Sequence, residues 1–290
     1  MNKTAPLADY ERDEFRALIE QRSGIWFDNS RERFFTARVC GHMEEKGLAG
    51  GADLMRLVRN SNVEYDALLQ QLLTQETSFF RYPSVFAALQ NRVLPEAHAR
   101  KCRMETRTLR VWSAGCSTGE EAYSVAIAIA ESRLFAEGWN VEILATDISR
   151  QALARASQGA YRERNLGGLT PEQIATHLNV TGNQYEVKTR IRNMVSFACS
   201  NLAEGIYLGR MDCIFCMNVL MYFSEERRNA VIQRFYDCLE PGGWLLLGHS
   251  ESLLRVPVKF EKILFEDCLL YRKPCADHAV PGASLGGSKL

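Results

Sequence analysis

From about residue 7 to 75, apolar side chains recur every three or four positions. Phe15, Leu18 and Ile19 share one face of the segment that opens at Leu7, the spacing of an amphipathic helix. Asp28-Asn-Ser30 offers capping oxygens to a second helix, which runs to about Lys46 and is stopped by Gly47. Gly50-Gly51 breaks the chain before a third helix, and Tyr65, Leu68, Leu69, Leu72 and Leu73 line a fourth. No strand pattern interrupts them. Residues 1–82 are therefore expected to be a helical domain and its linker.

From about residue 107 the period changes. Short apolar runs at Leu109–Trp112, Val141–Asp147, Met194–Cys199, Met211–Cys216 and Trp244–Leu247 alternate with helical stretches at about 120–136, 149–157 and 225–239. Pro241-Gly-Gly243 is expected to be a turn, and 259–265 with 268–272 a closing strand pair. This alternation predicts an α/β fold with a doubly wound, mostly parallel sheet over residues 83–273. Such sheets bind ligands at the carboxyl ends of their strands. Residues 158–192 break the rhythm with a helix at 171–178 and a polar–apolar alternation from Tyr185 to Arg192, which predicts a small inserted β subdomain. Residues 274–290, ending PGASLGGSKL, are expected to be a flexible tail.

The 290 residues carry 35 Lys+Arg and 35 Asp+Glu, so the net charge is zero. That argues against a protein devoted to the nucleic-acid backbone, where affinity comes largely from cationic contacts. No apolar run reaches the length of a membrane span, and the opening MNKTAPLADYERDEF lacks the apolar core of a signal peptide. A cytoplasmic protein without direct membrane insertion is expected. The nine cysteines show no framework spacing. Cys213 and Cys216 sit in an apolar run and read as buried strand residues rather than ligands. The five histidines show no metal-ligand spacing, so no metal is expected.

The candidate chemistry gathers at strand ends. Gly115-Cys-Ser-Thr-Gly119 joins a strand to a helix, either as a nucleotide-type loop or as a plain tight turn. Glu120 and Glu121 follow it. They suit a helix N-terminus but oppose a pyrophosphate, and G-x-G-x-x-G is absent. A cationic adenosine ligand such as S-adenosylmethionine, with its sulfonium and ammonium, fits better. Asp147 ends the next strand, where it can take ribose hydroxyls or cap the following helix. Gln75–Arg81 links the two halves, either as a seam over a ligand or as a structural connector.

Glu76-Thr-Ser-Phe-Phe-Arg81, Trp112-Ser-Ala-Gly-Cys-Ser-Thr-Gly-Glu-Glu-Ala-Tyr-Ser124, Ala145-Thr-Asp-Ile148, Phe215-Cys-Met-Asn-Val-Leu-Met-Tyr-Phe223 and Gly248-His-Ser-Glu-Ser252 together resemble the CheR-type chemotaxis receptor methyltransferases, in order, from about residue 10 to 272. The resemblance implies methyl transfer from S-adenosylmethionine to glutamates of a chemoreceptor's cytoplasmic signalling domain, leaving S-adenosylhomocysteine. It implies that Gln75, Thr77 and Arg81 meet the cofactor from the linker, with Gly115 in the glycine loop. Glu121, or in second place Glu120, meets the cofactor's polar end, Asp147 its ribose, and Asn201 and Leu202 its adenine. Cys216, Met217 and Asn218 line the methyl side, and Arg81 and Tyr222 serve catalysis. The family usually has Asn at Gln75 and Arg at Met217. The short Val180–Tyr185 loop resembles the family form that needs no receptor pentapeptide tether.

Arg31, Arg38 and His42, spaced i, i+7 and i+11, lie on one helical stripe. They are either a basic docking face for an acidic receptor helix or an ordinary solvated face. Two other functions compete with receptor methylation: a non-catalytic module that keeps cofactor or receptor affinity, and a methyltransferase for RNA or a small molecule.

Overall fold

The computed structural model describes residues 7–204, 209–249, 251–253 and 256–275; nearly all of the expected tail lies outside them. Four helices come first: α1 (Asp9–Ser23), α2 (Glu32–Glu45), α3 (Gly51–Asn60) and α4 (Asn62–Leu72). Their starts follow from local chemistry. The Glu11 carboxylate accepts from the backbone N–H of Ala8 at 3.0 Å before α1. The Asp28 carboxylate accepts from Arg31 N–H at 3.1 Å, capping a 3-10 turn that runs into α2. The Ser61 hydroxyl accepts from Glu64 N–H at 3.3 Å and caps α4. Phe15, Ile19, Phe35, Val39, Leu54, Val58 and Leu68 are buried together as this unit's own core.

The chain then runs through α5 (Pro83–Ala88), α6 (Leu94–Arg103), β1 (Thr108–Ala114), α7 (Glu120–Ser132), β2 (Asn140–Asp147) and α8 (Arg150–Gln158). The insertion follows as β3 (Ala160–Tyr161), α9 (Pro171–His177), β4 (Leu178–Thr181), β5 (Gln184–Val187) and α10 (Thr189–Arg192). Last come β6 (Val195–Cys199), β7 (Met211–Cys216), α11 (Glu225–Cys238), β8 (Leu239–Leu247), β9 (Glu261–Phe265) and β10 (Cys268–Arg272).

Seven strands form one sheet in the order β6-β2-β1-β7-β8-β10-β9. Pairing is parallel from β6 to β8 and antiparallel at β10 and β9. The expected mostly parallel α/β fold and the helical front unit are both present. From β1 the chain builds outward to β2 and β6, then crosses back to place β7 on β1's other side. The switch point therefore opens between the carboxyl ends of β1 and β7, where a ligand crevice belongs. β3, β5 and β4 make the separate antiparallel sheet of the insertion.

Three details differ from the sequence expectation. α7 ends at Ser132 rather than near residue 136, because Arg133 takes a left-handed conformation (φ +56°). Pro241-Gly-Gly243 is not a free turn. It lies within β8 as a bulge, between the pairs Met211–Leu239 and Cys213–Trp244. The alternation from Tyr185 stops being a strand at Val187; a short helix follows and turns Ile191 into the core.

At the amino end of β7, Asp212 is fully buried and receives Arg100 at 2.6 Å, Lys101 at 3.0 Å and the backbone N–H of Arg110 at 3.0 Å. The two units meet through few polar contacts. Ile25 pairs with Phe223, and Trp26 N–H donates to Tyr222 O at 2.8 Å. Ser149 donates to Gln70 at 2.7 Å, and Asn201 donates to Arg22 O at 3.1 Å. The linker between them is pinned to the insertion. Phe79 N–H donates to Asn165 O at 3.3 Å, and a Cβ on Gly168 would overlap the Phe79 carbonyl oxygen.

Candidate active site

A cavity of about 520 Å³ lies over the carboxyl ends of β1, β2 and β7. Its floor includes Gly115, Glu121 and Asp147. Ile25, Phe27, Arg31 and Phe34 wall it from the helical unit, and residues 72–78, 81 and 82 close it from the linker.

Gly115 holds φ +90°, and its N–H donates to Thr146 O at 2.8 Å. A Cβ there would stand 2.4 Å from Val219 Cγ2, so both the backbone and the space require glycine. Asp147 accepts from Ser117 N–H and Ser149 N–H, each at 2.8 Å. The helix cap itself is Ser149, whose hydroxyl accepts from Ala152 N–H at 2.9 Å. Asp147 thus ties β2 to the glycine loop while facing the cavity, and burial pushes its carboxyl above the usual range.

Glu121 takes a hydrogen bond from the Ser113 hydroxyl at 2.6 Å. Burial pushes its pKa up to about 7; the Ser113 bond and Arg81 oppose this, and the charge of Glu251 adds to it. Of the two glutamates in the motif, only Glu121 is in the cavity wall. Glu120 is fully buried, receiving Thr118 Oγ1 at 2.6 Å and Asn165 Nδ2 at 3.0 Å.

Gln75, Thr77, Arg81, Asn201, Leu202, Met217, Asn218 and Tyr222 also line the cavity. Gln75 donates to Gln70 Oε1 at 2.8 Å, and Arg81 donates to the Glu76 carbonyl at 2.6 Å. Asn218 holds φ +61° and accepts from the Tyr82 hydroxyl at 2.6 Å. Arg31 places its guanidinium 5.0 Å from the centre of the Tyr222 ring.

Two expected residues are elsewhere. The Cys216 side chain does not line the cavity. Strand alternation turns it with Ile214 into the core that packs on α11, and burial pushes its thiol up. His42 is not on a docking face. It is 3 % exposed at the edge of the Phe35–Val39–Met43 stripe, neither ring nitrogen has a hydrogen-bond partner among the described residues, and burial lowers its pKa. Arg38 is exposed, 5.2 Å over Phe34, while Arg31 belongs to the cavity wall. Sequence reasoning assigned no role to Tyr82 or Glu251. The Gly248–Ser252 motif was the available signal for Glu251.

Residues 75–267 match the family model described as the CheR methyltransferase SAM-binding domain, and residues 11–73 match the CheR methyltransferase all-alpha domain. The chain belongs to the CheR methyltransferase family. It is 35 % identical over 274 residues to a chemotaxis protein methyltransferase of Vibrio parahaemolyticus, covering 92 % of this chain and 98 % of that one. Chemotaxis protein methyltransferase 1 of Pseudomonas aeruginosa is 33 % identical over 276 residues, with 93 % and 99 % covered. The Escherichia coli chemotaxis protein methyltransferase is 33 % identical over 269 residues, 90 % of each chain.

The protein is thus a methyltransferase of chemotaxis, and its cofactor is S-adenosylmethionine. The cavity's chemistry fits that molecule. Two acids on the floor favour a ligand bearing a sulfonium and an ammonium and oppose a pyrophosphate. Gly115, whose missing Cβ lets Val219 pack against it, keeps the turn after β1 tight at the cavity floor. No described helix is long and apolar enough to cross a membrane.

Proposed function

We propose that this protein methylates glutamate side chains on the cytoplasmic signalling helices of a chemoreceptor, acting in the cytoplasm and leaving glutamate methyl esters. The observation that carries the reading is the convergence of Arg81, Glu121, Asp147 and Tyr222, from four separated stretches of chain, on one cavity. S-adenosylmethionine supplies an electrophilic methyl group on a sulfonium.

In this reading Asp147 accepts the ribose hydroxyls, Glu121 meets the ammonium, and Asn201 and Leu202 flank the adenine. Gln75, Thr77 and Gly115 complete the binding wall. Met217, Asn218 and Tyr222 border the reacting end. A substrate glutamate has a reference pKa of about 4.3 and is already ionised at neutral pH, so the site needs no general base. What the chain must do is align the carboxylate oxygen with the methyl carbon, a contribution worth as much as about 7–11 kcal/mol. Arg81 orients that carboxylate by charge-assisted hydrogen bonding, and Arg38 with Arg31 draws an acidic receptor helix towards the mouth.

The test is transfer of radiolabelled methyl to receptor fragments. Base-labile label marks a carboxyl ester. Base-stable label would point to amine or nucleobase methylation, and no label to a module that only binds.

Glu121 gives the reading a pH signature. With a pKa of about 7 it is half protonated at neutral pH. A bound cation favours the carboxylate, so binding releases protons and affinity rises as pH climbs through 7. Protein stability runs the other way. The folded form holds the proton more tightly than the unfolded chain, so this group's contribution falls as pH rises from 4.5 to about 7. Calorimetry of S-adenosylhomocysteine binding across pH checks this, and Glu121→Gln is expected to flatten the profile. An unchanged profile in that variant removes Glu121 from the site.

The β4–β5 connection is a two-residue turn, Gly182-Asn183. Its brevity supports methylation that does not depend on a receptor C-terminal pentapeptide. Rates on one receptor with and without its terminal tail are expected to agree; a many-fold loss on tail removal contradicts this.

A further inference from the structure

The chain after β7 bends back sharply. Asn218 lies in left-handed space (φ +61°), and Leu220–Tyr222 form a single 3-10 turn. A segment this tight leaves amide groups unpaired. They converge on one side chain from far along the sequence. Glu251 Oε2 accepts from Asn218 N–H at 2.8 Å and Gly248 N–H at 3.1 Å. Its Oε1 accepts from Leu220 N–H at 2.8 Å and Met221 N–H at 3.4 Å. The approach has been given room: a Cβ on Gly248 would sit 3.0 Å from Glu251 Oε2 and 3.2 Å from Asn218 N.

The residues so held include Asn218 and Met221, which border the cavity beside Met217 and Tyr222. From the other side Tyr82 fixes the Asn218 side chain. Glu251 itself does not line the cavity. Asp147 and the glycine loop depend on other bonds, so the adenosine end of the site is built without it.

We infer that Glu251 is a positioning residue for methyl transfer, its carboxylate setting the backbone that presents Asn218 and Tyr222 to the reacting end. Charge matters here as well as shape. A carboxylate accepts from all four amides, whereas a glutamine would turn an NH2 towards two N–H groups. The inference rests on the reading of the cavity given above.

The experiment compares the native protein with Glu251→Gln and Glu251→Asp. Three quantities are read: amide hydrogen exchange of residues 218, 220 and 221 in the ligand-free protein, affinity for S-adenosylhomocysteine, and single-turnover methylation of a receptor fragment at saturating cofactor. In Glu251→Gln those amides are expected to exchange about tenfold faster or more, in line with the loss of charge-assisted bonds. Turnover is expected to fall about tenfold or more, with product affinity changed less than about threefold. Glu251→Asp keeps both acceptor oxygens and is expected to recover part of the rate, which a purely structural loss would not reproduce. Native turnover or native exchange in a folded Glu251→Gln overturns the inference. So does a loss of rate matched by an equal loss of product affinity. If Glu251→Gln does not fold, Glu251→Asp decides instead: a loss of rate with native amide exchange, or one matched by an equal loss of product affinity, overturns it. Should the native protein itself transfer no methyl to the receptor fragment, the proposed function fails, while the exchange arm still decides whether Glu251 holds this loop.

Discussion

Asp212→Ala is expected to destabilise the protein by about 3–5 kcal/mol, the cost of stranding buried charge. Asp212 has no exposed surface, and Lys101 and Arg100 beside it are 6 % and 12 % exposed at their side chains. Removing the carboxylate leaves the Lys101 ammonium buried without its counter-charge and takes the acceptor from Arg110 N–H. Arg100 keeps one bond, to Gly242 O at 2.6 Å. The cluster joins α6, β1 and β7 at the end of the sheet away from the cavity, so the loss falls on stability and leaves cofactor recognition in the surviving folded fraction unchanged. Denaturant melts of the native protein and of Asp212→Ala and Asp212→Asn check this. The asparagine, which retains an acceptor and the shape, is expected to lose less. A midpoint for Asp212→Ala equal to the native one would mean that Arg100 and Lys101 find water or other partners.

The largest effect on chemistry is expected at Arg81. The cavity lining contains two arginines, Arg31 and Arg81, and at Met217 an apolar side chain. Arg81 ends the linker that closes the cavity, braced by the Glu76 carbonyl and lying 5.5 Å from the Tyr82 ring centre. Arg81→Ala is expected to fold normally and to lose about 10²-fold in single-turnover methylation, the scale of a misplaced reactant. Arg81→Lys keeps the charge without the planar fork, so turnover suffers more than cofactor affinity. Rates at saturating cofactor, read beside a thermal melt, decide it. A folded Arg81→Ala with the native rate would reduce Arg81 to a linker residue.

The features that were legible in the sequence share a cause: each is written in a local pattern. β7 is buried along its whole length, and β1 and β2 turn apolar past Arg110 and Glu142, because both faces of the sheet are covered there. The front helices show a 3.6-residue period because each buries one stripe. Gly115 and Asp147 stand where a strand ends and a helix begins, so their placement follows from the alternation alone. The misreadings occur where tertiary contacts decide. His42 sits at the border of a buried stripe, where spacing does not settle which side it joins. The polar–apolar rhythm of 185–192 serves a strand for three residues, and then Lys188 folds over to the carbonyls of Ala175 and Thr176. Cys216 shares a motif with Met217 and Asn218 yet points the other way. Glu251 stood in a motif, Gly248–Ser252, but its role was not legible because three of its four amide partners lie about thirty residues upstream, where no side-chain pattern records them.

The cavity is walled by two units with separate cores, joined besides by the Ile25–Phe223 bridge, by Tyr222 and Ile148 packed on the helical core, by the ion pairs Arg227–Glu20 and Arg150–Asp66 and by a handful of hydrogen bonds. A molecule lodged there acts as a rivet between them. Filling the cavity stabilises the joined units by an amount that grows with the logarithm of ligand concentration. The same methyl donor that the enzyme consumes is then also what shields it from proteases that cut opened chains.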